Sequence, residues 1–164
     1  MTKIKVAVFD IDGCCTDGTI GYIDGGKRFR NFNVRDGYGI RMLKDSGIHV
    51  WCMSGEDDEH IFDRMEKLDV EFKLGISDKR MAFGDGDFPT VDSSEIAWMG
   101  DDLNDLECMR LIGLPGCPAD ATLTVKDFVT RADGGFVSTY NGGHGAVREF
   151  CEYILSNNFS VKEG

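Results

Sequence analysis

The sequence predicts an α/β fold, a mostly parallel sheet flanked by helices. Short apolar runs at residues 4–9, 48–53, 70–74 and 96–99 lack polar alternation, as strands buried on both faces do. Stretches with apolar residues at helical spacing lie between these runs. Clustered carboxylates follow two of them, where open α/β sheets place their ligands.

Taken in order, residues 4–9 form the first strand and Asp10-Ile11-Asp12-Gly13-Cys14-Cys15-Thr16-Asp17 follows at once. Residues 19–33 carry Asp24-Gly25-Gly26 between Ile, Tyr and Phe residues, a β-hairpin pattern. Arg35-Asp36-Gly37 introduces a helix through Ile40, Met42 and Leu43 that ends near Gly47. Residues 48–53 give the second core strand, closed by Ser54-Gly55. Asp57 or Asp58 caps a helix bearing Ile61, Phe62, Met65 and Leu68. Residues 70–74 suit a third strand. Lys79 to Phe83 starts a helix that Gly84-Asp85-Gly86-Asp87-Phe88-Pro89 breaks early. Residues 96–99 are the fourth strand, 106–112 a short helix and 114–118 a very short fifth strand. Gly142-Gly143-His144-Gly145 precedes a last helix with Val147, Phe150, Cys151, Ile154 and Leu155 on its apolar face. No repeat or linker interrupts the pattern, so residues 1–164 read as one domain.

Composition narrows the function. With 41% hydrophobic residues the chain can build a core. No apolar run approaches the roughly 20 residues that a membrane span needs. The chain opens Met1-Thr2-Lys3-Ile4-Lys5 directly into a strand, which leaves no room for a signal peptide and leads us to expect the cytoplasm. Cys14, Cys15, Cys52, Cys108, Cys117 and Cys151 show neither a C-x-x-C pair nor zinc spacing, and are expected to be reduced and mostly buried. A net charge of -11 disfavours nucleic acid and anionic membranes as partners. It also repels phosphate. A phosphate site here needs local correction by a metal ion, a lysine and backbone amides.

Those features are present. Asp10 and Asp12 leave the first strand two residues apart, and Gly100-Asp101-Asp102-Leu103-Asn104-Asp105 adds three acids after the fourth. Five carboxylates at two strand ends repel unless a divalent cation sits among them, and oxygen-only ligands suit magnesium. Ser54-Gly55 offers a hydroxyl and an accessible amide to a phosphoryl oxygen, and Lys79 offers positive charge. Singly, each is an ordinary turn or surface residue. Together they are specific.

In this order Asp10-x-Asp12-Gly13-x-x-Thr16, Ser54-Gly55, Lys79 and residues 100–105 resemble the four motifs of haloacid dehalogenase superfamily phosphatases. The resemblance implies a Rossmann-like sheet with a small β-hairpin in place of a cap domain, since only a hairpin and one helix separate the first two motifs. Asn33-Val34-Arg35-Asp36-Gly37-x-Gly39-Ile40 and Gly142-Gly143-x-Gly145-Ala146-Val147-Arg148-Glu149 are similar to the 3-deoxy-manno-octulosonate 8-phosphate phosphatase branch, which includes phosphatases of nine-carbon sugar acids. It implies hydrolysis of a 2-keto-3-deoxy sugar-acid phosphate, octulosonate 8-phosphate or nonulosonate 9-phosphate, with Mg2+ as cofactor. By the resemblance, Asp10 attacks phosphorus to form an aspartyl-phosphate. Asp12 is the acid and then the base. Asp10, the Asp12 main-chain carbonyl and Asp101 hold the metal, with Asp102 and Asp105 orienting them. Ser54, the Gly55 amide and Lys79 stabilise the phosphoryl oxygens. Glu56 departs from the arginine common in octulosonate phosphatases and looks more like the nine-carbon branch. Arg64 and Lys67, one helical turn apart, are placed to meet the sugar carboxylate or else form a solvated helix face. Members of this branch resemble homotetramers in which the hairpin packs between subunits and a neighbour completes the site.

Other readings fit less well. Gly21 to Lys27 matches the first seven positions of a phosphate-binding P-loop, but Arg28 stands where Ser or Thr is required and no buried strand leads into it. His49, His60 and His144 show no metal spacing. A phosphoacceptor receiver domain shares clustered Asp, Ser/Thr and Lys, but there the lysine comes last; here the second acidic cluster follows Lys79. A non-catalytic interaction domain of sugar-nucleotide synthesis is the alternative, and retention of both Asp10 and Asp12 speaks against it.

Overall fold

The computed structural model describes residues 2–84, 86 and 88–160. Its centre is β1 (Val6–Asp10), buried along its whole length. Successive side chains point to opposite faces of a strand, and here both faces are apolar. Ala7 and Phe9 enter one cluster with Ile40, Ile61, Val147 and Phe150. Val6 and Val8 enter a second with Trp51, Trp98, Leu106 and Val125. A strand that is apolar on both faces must sit inside a sheet covered by helices on both sides.

Six strands make that sheet, in the order β5-β4-β1-β6-β7-β8, every neighbouring pair parallel. They are β1, β4 (His49–Met53), β5 (Glu71–Lys73), β6 (Ile96–Met99), β7 (Leu114–Cys117) and β8 (Phe136–Val137). One face is covered by α1 (Val34–Asp45), α2 (Glu59–Leu68) and α6 (Ala146–Ser160), and the other by α3 (Lys79–Gly84), α4 (Leu103–Met109) and α5 (Leu123–Arg131). From β1 the chain moves outward through β4 to β5, then crosses back to β6 on the other side. That reversal is the topological switch point at which such sheets bind ligands. Register brings the ends together: Asp10 lies opposite Met53 of β4, and Phe9 opposite Met99 of β6. Ser54 and Asp101 therefore emerge beside Asp10.

The hairpin forms as β2 (Gly21–Tyr22) and β3 (Arg28–Phe29), antiparallel and shorter than residues 19–33 led us to expect. Asp58, not Asp57, caps α2, its carboxylate accepting the Ile61 N–H at 3.1 Å. The helix expected at 106–112 begins instead at Leu103, because the Asp102 carboxylate accepts the Leu103 N–H at 2.7 Å and starts it earlier. Two elements, α5 and β8, were not anticipated. Asp85 and Asp87, within the stretch expected to end α3, lie outside the described residues. All six cysteines are buried and free. Among the described residues no helix is long and apolar enough to cross a membrane.

Phe150 of α6 pins the sheet to its helical cover. Its ring meets Phe9 edge-on at 6.3 Å and stacks on Phe136 at 5.2 Å. Truncating a buried aromatic leaves a cavity that the surroundings fill only partly. Phe150→Ala is expected to lower stability by about 3–5 kcal/mol in equilibrium urea unfolding.

Candidate active site

β1 ends at Asp10, and the chain then makes one wide turn over Ile11–Cys15. The Asp10 Oδ1 atom accepts the Ile11 N–H at 2.8 Å and a hydrogen bond from Lys79 Nζ at 2.6 Å. Lys79, the first residue of α3, reaches Asp105 Oδ1 at 2.8 Å as well. Trp98 of β6 donates its indole N–H to that same oxygen at 3.1 Å. All of these side chains are buried. Burial acts to lower the Lys79 pKa, but Asp10 and Asp105 outweigh it and hold the ammonium firmly protonated.

One lysine does not balance the acids around it. Burial and the charge of Asp105 push the Asp10 carboxyl well above its usual range, against the pull of Lys79. Burial, with Asp105 adding to it, lifts Asp101 to about 6. The ligand atoms of Asp10, Asp101 and Cys14 lie within 4.8 Å of one another. Two carboxylates that close favour a shared divalent cation over coexisting bare charges. The Cys14 thiol is pushed well upward by burial and then by Asp101, so it stays protonated and leaves the carboxylate oxygens as donors. Local shape fits too. Gly13 has φ +93°, and a Cβ there would fall 2.1 Å from Asp101 Oδ2. Asp101 is tied from behind, its carbonyl accepting the Thr122 N–H at 2.9 Å. The residues present thus suit a hard divalent ion held by Asp10 and Asp101.

Asp12 is held from two sides. Its Oδ2 accepts from Ser54 Oγ at 2.8 Å, and its Oδ1 from Arg30 Nε at 2.6 Å. Ser54 Oγ in turn accepts the Glu56 N–H at 2.9 Å. The Arg30 Nη1 atom donates to Asp58, and Arg28 Nη1 donates to Glu56 at 2.7 Å. The hairpin is thereby pinned to the loop after β4. Burial would raise Asp58, but the Ile61 amide and Arg30 hold it below the usual carboxylate range.

A cleft of about 550 Å3 opens over these groups, lined by Asp10, Asp12, Ser54, Gly55, Glu56 and Asp101, and flanked by Asp102. Most of the expected site residues meet there. Asp105 bonds to Lys79 and Trp98, so it acts on Asp10 through the lysine that the two carboxylates share. Asp102 spends one carboxylate oxygen on capping α4. Arg64 and Lys67 do not line this cleft. They lie on a separate groove beside Gly37 and Tyr38, with the Arg64 guanidinium 5.6 Å from the Phe32 ring centroid, because α2 turns that face toward α1. Arg30 is not among the residues that the sequence singles out, and Asp58 stands out there only as a helix cap. The available signal was Arg28 and Arg30 at strand spacing on one face of the hairpin.

The loop after β1 is also backed from the far end of the chain. Gly143 donates its N–H to the Cys14 carbonyl at 2.9 Å, and Gly142 to Asp120 Oδ1 at 2.9 Å. A Cβ on Gly142 would lie 1.8 Å from the Gly13 carbonyl oxygen. That close approach explains the glycine-rich segment.

No protein-family model matches the chain. It is 38% identical over 160 residues to the 3-deoxy-D-manno-octulosonate 8-phosphate phosphatase of Salmonella typhi, an alignment covering 94% of this chain and 82% of that protein. Two solved structures are also close. The enzyme of that name from Moraxella catarrhalis, in complex with magnesium, phosphate and KDO, matches with a TM-score of 0.86 and 33% identity over 97% of this chain and 91% of its own. The cobalt-bound deoxy-D-mannose-octulosonate 8-phosphate phosphatase from Haemophilus influenzae matches with a TM-score of 0.86 and 35% identity over 95% of this chain and 90% of its own.

A metal site of this construction stabilises the folded chain by mass action. Magnesium at about 100 times its Kd is expected to raise Tm by about 5–10 °C, reversibly with EDTA, in differential scanning fluorimetry. Gly13→Ala, whose new methyl displaces Asp101, is expected to remove that shift.

Proposed function

The chain belongs to the 3-deoxy-D-manno-octulosonate 8-phosphate phosphatase family of the haloacid dehalogenase superfamily, and from that premise we propose that it hydrolyses a 2-keto-3-deoxy sugar-acid phosphate through an aspartyl-phosphate on Asp10. The observation that carries this reading is the placement of Asp10. One of its carboxylate oxygens is committed to Lys79 and the Ile11 amide, while the residue opens onto a cleft shared with Asp12 and Asp101.

In the first step the Asp10 Oδ2 atom attacks phosphorus and the bond to the sugar oxygen breaks. Asp12 gives its proton to that leaving oxygen. In the second step Asp12 takes a proton from water, the water oxygen bonds to phosphorus, and the bond to Asp10 breaks to release inorganic phosphate. Lys79 and the Gly55 amide balance charge on the phosphoryl oxygens, while the Ser54 hydroxyl is spent on holding Asp12. Asp10, Asp101 and the Asp12 carbonyl would hold a magnesium ion, which would supply further positive charge at the phosphoryl group. Charge balance explains how a chain of net charge -11 accepts an anion.

The position of Arg64 and Lys67 on a groove apart from their own cleft supports delivery of these cations by a neighbouring copy. The exposed Tyr22, Ile23 and Phe29 on the hairpin supply an apolar face for such a contact. On this reading residues 1–164 form one catalytic domain that works as a cytosolic homotetramer. Glu56, at the mouth of the cleft and paired with Arg28, is the residue on which a choice between an eight-carbon and a nine-carbon acid would turn.

Phosphate release from octulosonate 8-phosphate, nonulosonate 9-phosphates and unrelated sugar phosphates, with magnesium and then with EDTA, tests the proposal. The expected result is strong preference for one 2-keto acid, loss of turnover in EDTA, and loss of at least about 1,000-fold in Asp10→Asn. Near-normal turnover in Asp10→Asn contradicts the covalent route. No release by a folded, magnesium-binding protein points instead to an interaction domain.

A further inference from the structure

Arg30 is the most completely enclosed cation of the hairpin, with none of its side chain exposed. A guanidinium removed from water needs anionic partners on its donors, or the desolvation cost stands uncompensated. The chain supplies three acids. Nε donates to Asp12 at 2.6 Å, Nη1 donates to Asp58, and Nη2 lies 3.8 Å from Glu56 Oε2 without a hydrogen bond of its own. Arg30 does not line the cleft, so its effect on substrate must pass through a neighbour.

We propose that Arg30 is the positioning residue of Asp12, fixing the acid–base carboxylate from the hairpin side while Ser54 fixes it from the strand side. The proposal rests on the acid–base role assigned to Asp12 above. The geometry argues for positioning over a merely structural staple. Each Asp12 oxygen has one donor, Arg30 Nε on Oδ1 and Ser54 Oγ on Oδ2, which leaves the carboxyl plane little freedom to rotate. The guanidinium is itself anchored at its far end by Asp58, whose other oxygen caps α2. Its planar fork spans Asp12 and Asp58 at once, which a point charge does not. A chain of fixed groups thus runs from the start of α2 through the hairpin to the acid–base residue. A hairpin displaced from this dock leaves Asp12 with Ser54 alone.

Misplacing a catalytic group by about 1 Å costs on the order of 100-fold in rate. Arg30→Ala is therefore expected to lower kcat on the order of 100-fold with KM changed less than about threefold. A double-mutant cycle separates positioning from structure. In an Asp12→Ala background the added Arg30→Ala change is expected to cost less than about threefold of the residual turnover. Millimolar guanidinium is expected to restore kcat at least about tenfold in Arg30→Ala and not in the double variant. Arg30→Lys, which keeps the charge without the fork, should fall between the wild type and Arg30→Ala. Arg30→Gln keeps much of the volume and takes the place of the alanine variant where circular dichroism shows that the latter is not folded. Losses that multiply in both backgrounds, or a full kcat in folded Arg30→Ala or Arg30→Gln, overturn the proposal. Near-normal turnover in Asp12→Ala alone overturns the acid–base reading itself and is distinguishable from either outcome.

Discussion

Everything at this site turns on the shared ammonium of Lys79. It bridges Asp10 and Asp105 inside the protein, and no member of the trio has appreciable contact with solvent. Removing one partner of such a buried arrangement is strongly destabilising, by about 3–5 kcal/mol, because charge is left unpaired in a medium that cannot solvate it. The lysine orients Asp10 and offsets part of the acidic charge that Asp101 and Asp105 bring. The residual imbalance is what makes the site a cation site. A centre with one more positive charge would have no comparable demand for a divalent ion, and one without Lys79 would leave Asp10 and Asp105 with no counter-charge between them.

The sheet delivers these groups without long loops. Three parallel strands end side by side, and each donates its acid or hydroxyl within the next two residues: Asp10 and Asp12 from β1, Ser54 from β4, Asp101 from β6. What the strand ends cannot do is hold side-chain orientation against mutual repulsion. The hairpin, the start of α2 and the tail before α6 do that work from outside. Arg30 meets Asp12, the Gly143 amide meets the Cys14 carbonyl, and Thr122 holds the Asp101 carbonyl. Chemistry sits on the sheet, and its alignment is imposed by segments distant in sequence.

This division explains what was legible in the sequence. Groups placed by a strand end appear as contiguous motifs, so Asp10-x-Asp12, Ser54-Gly55 and Asp101-Asp102 could be read directly, with the parallel sheet that carries them. Lys79 could be read because it opens a helix next in order. Contacts that cross between elements leave no such local trace. Arg30 reaches Asp12 over 18 positions, and neither residue's neighbours announce the pairing. Asp105 was expected from the resemblance to orient the metal ligands, and the contacts it makes, to Lys79 and Trp98, likewise cross between elements. Arg64 and Lys67 share a helix face as their spacing implied, but which neighbour that face meets is decided by how α2 packs on α1. Helix α5 escaped notice because its two buried residues, Val125 and Val129, are β-branched and too few to set a periodicity against Thr122, Thr124 and Thr130.

In the proposed mechanism the phosphoryl group passes through Asp10. Acid-quenching the magnesium-loaded enzyme during turnover of its preferred sugar-acid phosphate, followed by peptide mass spectrometry, tests it most directly. One phosphoryl group is expected on the peptide containing Asp10, absent in EDTA and absent from Asp10→Asn. Turnover that proceeds with no phosphoryl adduct at any quench time, or with the adduct on another residue, would contradict it.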